Sequence, residues 1–298
     1  MTFDATQPFG ISAALTTPFT SAGNIDHALL VAHVKNVLAK GCNSVTLGGT
    51  TGEGPSLSQE EKVAAHNAIT AAGVPAQKIV FAILESALPN AVAHARQAAD
   101  LGSTHILLAP PFYFKGVADN GQLVWFRKML TEIAPSGLKV ILYHIPQVTA
   151  APVTPDMVAE LKKDFPAMIC GVKDSAGQWE NTEELLKRFP DLDILIGDER
   201  LLARGVALGG AGAISGVANF RPDLLTDIMA QKPDDPRVTD LVNALLEYPV
   251  TPAVKALVGH LDQEQSWREA RAPLAGLTPE QYQALTKRYN DLFASPER

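Results

Sequence analysis

Sulfur has little to do in this chain. Two cysteines occur among 298 residues, Cys42 and Cys170, both in apolar contexts and without paired-ligand spacing. That argues against a disulfide framework or a zinc site and for free, buried thiols. Positive charge is also scarce: 25 Lys and Arg against 32 Asp and Glu leave a formal charge of −7, with the basic residues scattered rather than striped. No nucleic-acid partner is expected from such a surface. No uninterrupted apolar run approaches the roughly 18 residues that span a bilayer. Met1 to Pro8 has neither the basic nor the apolar region of a secretion signal, so the expected setting is the cytoplasm, with no membrane partner. What is abundant is core material. With 46% hydrophobic and 19% charged residues the chain can bury one large core or two ordinary ones.

Short β-branched apolar runs alternate with helical patterns. The expected strands are Ile11 to Thr17, Ser44 to Leu47, Ile79 to Leu84, His105 to Ala109, Lys139 to Tyr143, Ile169 to Lys173, Asp193 to Ile196 and Ala213 to Ser215. Between them lie amphipathic stretches such as Asp26 to Lys40, Ser58 to Ala72, Pro89 to Leu101 and Gly121 to Ile133. Ser58 with Glu61 spells a capping box. Eight βα units in about 225 residues, joined by right-handed crossovers, predict a closed (β/α)8 TIM barrel over residues 1–222. Beyond Pro222 the pattern is purely helical, which predicts a C-terminal helical appendage, residues 223–298, packed on the barrel.

Chemistry in such barrels sits at the carboxyl ends of the strands. Lys173 closes the apolar run Ile169-Cys170-Gly171-Val172. Burying an ammonium is costly, and a low dielectric favours the neutral amine that attacks carbonyls, although a strand-end lysine can also simply snorkel. Its company points to chemistry. The second strand ends in Gly48-Gly49-Thr50-Thr51-Gly52-Glu53-Gly54, whose amides and hydroxyls can hold a carboxylate, or which can be a plain tight turn. Tyr143 ends the fifth strand, Asp198-Glu199 follow the seventh, and Ile214-Ser215 end the eighth. His144 should point the opposite way from Tyr143 and play a structural part. Trp125 and Phe126 read as core or interface. Ser175 and Ser215 suit either a hydroxylated substrate or a turn.

Taken together, Thr16-Thr17-Pro18-Phe19, the Gly-Thr-Thr-Gly-Glu turn, Tyr143 and Gly171-Val172-Lys173-Asp174 resemble the dihydrodipicolinate synthase and N-acetylneuraminate lyase superfamily of pyruvate-dependent class I aldolases, in order and spacing from Gly10 to about Phe220. The resemblance implies a homotetramer or homodimer and no metal or organic cofactor. It also implies a Schiff base between Lys173 and the ketone of pyruvate, whose protonated imine stabilises a C3 carbanion as an enamine. Tyr143 matches the proton-relaying tyrosine and Thr51 the threonine linked to it. Thr50, with the amides around Gly49, matches the grip on the pyruvate carboxylate.

Three departures qualify the resemblance. Synthases carry an arginine for the carboxylate of aspartate semialdehyde where this chain has Val148, an apolar side chain in place of a bidentate anchor. Neuraminate-type lyases are apolar there too and use an Asp-Glu pair like Asp198-Glu199 on sugar hydroxyls; the alternative role for this pair is helix capping. Either Phe112 or Tyr113 stands where synthases place a tyrosine that reaches the neighbouring subunit. The gap from Tyr143 to Lys173 is also slightly long for the family, which should lengthen the loop around Thr149 to Pro155. The function expected is a class I aldolase or lyase that cleaves or forms a 2-keto-3-deoxy sugar acid. Dihydrodipicolinate synthase, a keto-deoxy acid dehydratase and a non-catalytic barrel are the alternatives.

Overall fold

A computed structural model of the protein describes residues 9–232 and 235–294. Eight parallel strands close on one another in sequence order. They are β1 (Gly10–Ala14), β2 (Ser44–Leu47), β3 (Ile79–Ile83), β4 (His105–Leu108), β5 (Lys139–His144), β6 (Ile169–Asp174), β7 (Asp193–Ile196) and β8 (Gly212–Ser215). The helices are α1 (His27–Ala39), α2 (Gln59–Ala71), α3 (Leu88–Asp100), α4 (Asp119–Ile133), the one-turn α5 (Pro146–Thr149), α6 (Pro155–Asp164), α7 (Trp179–Arg188), α8 (Leu202–Ala207), α9 (Pro222–Met229), α10 (Arg237–Leu246), α11 (Val250–Asp262) and α12 (Pro279–Phe293). No described helix is long and apolar enough to cross a membrane.

Each strand reads as an unbroken apolar run because both of its faces are buried. Alternate residues serve two different cores. On β5, Ile141 and Tyr143 join Val80, Ala82, Leu107, Leu195 and Ile214 inside the barrel. Val140 and Leu142 pack outward with Val158, Leu161 and Phe126 under the helices. Period-two geometry therefore decides which strand-end residues can face the mouth. The capping box at α2 is complete: Ser58 Oγ accepts from the Glu61 amide at 3.2 Å, and Glu61 Oε2 accepts from the Ser58 amide at 2.9 Å. Trp125 and Phe126 lie on α4, Phe126 in the core and Trp125 donating through its indole N–H to Ser86 O.

Two boundaries differ from the sequence reading. The first strand ends at Ala14, not Thr17: its pairing with β2 stops at Thr46, and the Thr17 hydroxyl instead donates to Gly52 O at 2.7 Å. The barrel also extends past residue 222, because α9 is its eighth helix and packs on β1 and α8. Only α10, α11 and α12 form the appendage. Proline opens α9 as it opens α6 and α12, so Pro222 begins a helix of the repeat rather than marking its end.

Both cysteines are free, and burial pushes each thiol up to about 12. Neither is a candidate thiolate nucleophile.

Candidate active site

A cavity of about 390 Å³ opens at the carboxyl ends of the strands, with Thr50, Tyr143, Lys173 and Ile214 among its lining residues. Its centre is made by β5 and β6. These strands pair Val140 with Ile169 but Ile141 with Gly171, so one extra residue, Cys170, bulges out of the ladder. The bulge shifts the register by one and sets Lys173 directly beside Tyr143; without it Tyr143 would pair with Val172. Gly171 permits the close approach that follows, since a Cβ there would lie 2.5 Å from Asp193 O.

Lys173 is 6% exposed, and its Nζ donates to Tyr143 Oη at 3.3 Å while lying 4.4 Å from the ring centroid. Tyr143 Oη is in turn 3.3 Å from Thr50 Oγ1. Either hydroxyl can be the donor of that bond. An amine, a phenol and a hydroxyl thus form one hydrogen-bonded chain. The next ladder pair is His144 and Asp174, which face the helices. Asp174 accepts from Thr182 Oγ1 at 2.7 Å, Asn181 Nδ2 at 3.0 Å and the Ala176 amide at 3.0 Å, fixing the end of β6. His144 Nδ1 accepts from the Val153 amide at 3.0 Å, and burial lowers its affinity for a proton, opposed by Asp174. The structural role read for His144 is the one it has here.

The threonine turn is folded by its glycines and held from outside. At Gly54 a Cβ would sit 1.7 Å from Gly48 O, and the Gly54 amide donates to Gly49 O at 3.0 Å. Glu53 adopts a left-handed backbone, φ 57°, and turns its carboxylate into the protein. There Lys255 Nζ of α11 donates to Oε1 at 2.6 Å and the Arg271 amide to Oε2 at 2.8 Å. Both charged side chains are fully buried. Burial lowers the proton affinity of Lys255, and Glu53 opposes it. Thr251, also on α11, donates to Thr50 O at 3.4 Å. The Thr50 and Thr51 amides have no backbone acceptor among the described residues, which leaves them available to an anion.

Several sequence-selected residues sit differently from expectation. The hydrogen bond to Tyr143 comes from Thr50, where the resemblance assigns the link to Thr51; Thr51 lines the cavity close to Gly216. Asp198 caps the 3-10 turn Glu199–Leu201 by accepting from the Arg200 amide, and its two oxygens are forked by the Arg200 guanidinium at 3.0 and 2.6 Å. Capping, the alternative for this pair, describes Asp198. Glu199 is buried and accepts from Ser215 Oγ and the Val217 amide; burial pushes its carboxyl up, and the Ser215 bond opposes this. Ser215 therefore lies behind the wall, because Ile214 takes the inward position on β8 and its neighbour must face out. Gly49 shapes the turn without lining the cavity, whereas Ser175 does line it. Tyr113 is 74% exposed on the loop after β4, outside the cavity, with Phe114 packed edge-on against it at 5.3 Å; Phe112 is half-buried against the barrel core. Val148, on α5, does line the cavity. The segment after β5 contains this extra turn of helix, which ends at Thr149, where the longer loop was expected to begin.

Sequence reasoning missed Glu53, Lys255, Arg271 and the α10–α11 wall. One signal was readable. Ala253-Val254-Lys255-Ala256-Leu257-Val258 places a single charge in an otherwise apolar helix, and a helix buried all round must pair such a charge.

Residues 7–291 match the dihydrodipicolinate synthetase family. An uncharacterized DapA-like lyase of Chloroflexus aurantiacus is 34% identical over 97% of this chain and 98% of its own length. A 2-dehydro-3-deoxy-D-gluconate/2-dehydro-3-deoxy-phosphogluconate aldolase of Thermoproteus tenax is 30% identical over 73% of this chain and 67% of its own. The crystal structure of a dihydrodipicolinate synthase from Agrobacterium tumefaciens superposes with a TM-score of 0.93 at 46% identity, covering 96% of this chain and 99% of that one. On sequence and on fold alike, over nearly its whole length, this chain belongs to the dihydrodipicolinate synthetase family.

Proposed function

We propose that the protein is a Schiff-base-forming, pyruvate-dependent aldolase or lyase that cleaves a 2-keto-3-deoxy acid to pyruvate and an aldehyde, or runs the reverse condensation. The observation that carries this reading is the hydrogen-bonded chain from Lys173 through Tyr143 to Thr50 at the floor of a buried-sided cavity. In the cleavage direction the Lys173 amine attacks the C2 ketone, and loss of water gives a protonated imine. Tyr143, left as phenolate once its proton has gone out with the water lost in imine formation, takes the proton of the C4 hydroxyl as the C3–C4 bond breaks, and the bond's electrons move into the imine to give an enamine. Protonation at C3 and hydrolysis then release pyruvate and free the lysine. In this reading the Thr50 and Thr51 amides, which have no backbone acceptor among the described residues, take the substrate carboxylate. If the enamine expels a hydroxyl instead of cleaving a carbon–carbon bond, the same residues run a dehydration.

The aldolase activity in the name of the Thermoproteus relative supports this reading; the name of the Agrobacterium structure favours a synthase. Val148 weighs against the synthase. A bidentate arginine–carboxylate pair is worth more than the roughly 1.5–3 kcal/mol of one charge-assisted hydrogen bond, and Val148 offers none. Condensation of pyruvate with aspartate semialdehyde should accordingly be very weak when followed by coupled reduction; robust dihydrodipicolinate formation reverses the assignment. The aldolase reading itself is tested by borohydride reduction in the presence of pyruvate, followed by peptide mass analysis. The adduct should fall on Lys173 and on no other lysine. Tyr143→Phe should lower turnover about 10²- to 10⁴-fold, the usual contribution of general acid–base catalysis, while the imine can still be trapped. Undiminished turnover in that variant would move the proton transfer to another group. The exposed Tyr113 and Phe114 suit the assembly of copies, homotetramer or homodimer, that we propose with this reading.

A further inference from the structure

We infer that the aldehyde partner of this site is uncharged and hydrocarbon-bodied, an aromatic or branched aliphatic aldehyde rather than a polyhydroxylated, phosphorylated or amino-acid one. The inference rests on the aldolase reading and names its second substrate.

The cavity is strongly asymmetric. Its floor carries Lys173, Tyr143, Thr50 and Thr51, which are taken up by pyruvate. Above the floor one wall is Val148 from α5 with Val242, Leu245 and Leu246 from α10 and Val250 and Val254 from α11. An acceptor carbonyl held at the C3 carbon of the enamine must direct its substituent along this wall. Burying such a substituent against it stabilises the complex by roughly 25 cal/mol per Å² of apolar surface. A chain of hydroxyls laid there would lose its water without gaining partners.

The charges lining the cavity are also already used. Besides Lys173 they are Asp198, Glu199 and Arg200. Arg200 spends its guanidinium on both oxygens of Asp198 and on Asn243 Oδ1 at 2.9 Å. Glu199 is buried, with Oε1 held by Ser215 and the Val217 amide. A phosphate or second carboxylate on the aldehyde meets no unpaired cation among the described residues of the lining. The remaining polar side chains are Gln147, Ser175 and Thr251, of which Thr251 donates to Thr50 O at 3.4 Å; the other two suffice for one carbonyl or hydroxyl near the reacting carbon. Condensation balances as pyruvate plus RCHO to the 4-hydroxy-2-keto acid: the enamine C3 forms the new bond, the aldehyde oxygen takes the Tyr143 proton, and water hydrolyses the imine.

The experiment presents pyruvate and the intact protein with benzaldehyde, isovaleraldehyde, glyceraldehyde, glyceraldehyde 3-phosphate and aspartate semialdehyde, and follows product by mass and pyruvate by consumption. Borohydride trapping of the pyruvate imine runs in parallel. Benzaldehyde or isovaleraldehyde should exceed each polar acceptor in kcat/KM by tenfold or more. Leu246→Asp, at a half-exposed position that tolerates a charge, should lower that preference at least tenfold. A trapped imine with glyceraldehyde or a charged aldehyde preferred, or with no apolar aldehyde condensed, overturns the inference and leaves the aldolase reading standing. No trapped imine overturns the aldolase reading itself, and the inference with it.

Discussion

Lys173→Ala should lose all borohydride-trappable pyruvate adduct and should lower pyruvate-dependent turnover by on the order of 10⁴- to 10⁶-fold, the scale on which removal of a covalent nucleophile is felt. The size follows from what the amine does. In the proposed mechanism it converts a ketone into a protonated imine, and only that electron sink makes the C3 carbanion accessible near neutral pH. A neighbouring charge cannot replace it. Lys173→Arg separates the two roles, because it restores a cation 3.3–4.4 Å from Tyr143, where Lys173 now stands, without an amine able to form an imine. It should be as inactive as the alanine variant. Turnover retained in either variant, with unfolding curves matching the parent, removes Lys173 from the chemistry and the aldolase assignment with it.

The second large effect is on stability and lies in the appendage. Lys255→Ala should cost about 3–5 kcal/mol, the usual price of leaving one partner of a buried ion pair uncompensated. At the roughly 2.1 cal/mol/K of unfolding entropy per residue common to globular proteins, this lowers Tm by about 5–8 °C. The paired atoms are 2.6 Å apart, both side chains are fully buried, and Glu53 has one other donor, the Arg271 amide. Removing both charges together, as Glu53→Gln with Lys255→Met, should recover most of the loss, since replacing a buried pair by neutral groups of similar volume is often near neutral. Glu53 follows Thr51 by two residues in the same turn, so the single variant should also raise the pyruvate concentration that half-saturates imine trapping. An unchanged Tm in Lys255→Ala would mean that the charge of Glu53 is satisfied without the lysine.

How much of this was legible beforehand follows from the range of each interaction. Eight βα repeats declare themselves locally, through apolar runs of strand length separated by amphipathic stretches of helix length, and the closed barrel follows from chirality and count. Strand ends also fix the mouth, which is why Lys173, Tyr143, Thr50, Thr51 and Ile214 could be named from sequence as residues of one cavity. Period two was enough to turn His144 away from it. The same rule turns Ser215 away once Ile214 is known to face inward, but a four-residue strand buried on both faces gives no sequence clue to which set is inner.

Other features are decided between segments distant in the chain, where no local pattern can reach. The bulge at Cys170 that brings Lys173 level with Tyr143 depends on how β6 meets β5 and β7. Asn243 of α10 accepts from the Arg200 guanidinium while that group forks Asp198, which withdraws a carboxylate that in sequence looks free for sugar hydroxyls. The ion pair of Glu53 with Lys255, and the apolar wall of α10 and α11 above Lys173, come from folding the C-terminal helices back across the barrel mouth. The sequence by itself determined the barrel and set Lys173 and Tyr143 at its mouth, because strand periodicity and strand ends are local properties. Only the tertiary structure decided which threonine meets the phenol, which charges are already paired and what surface lies above Lys173, because each depends on partners up to about two hundred residues away brought together by packing alone.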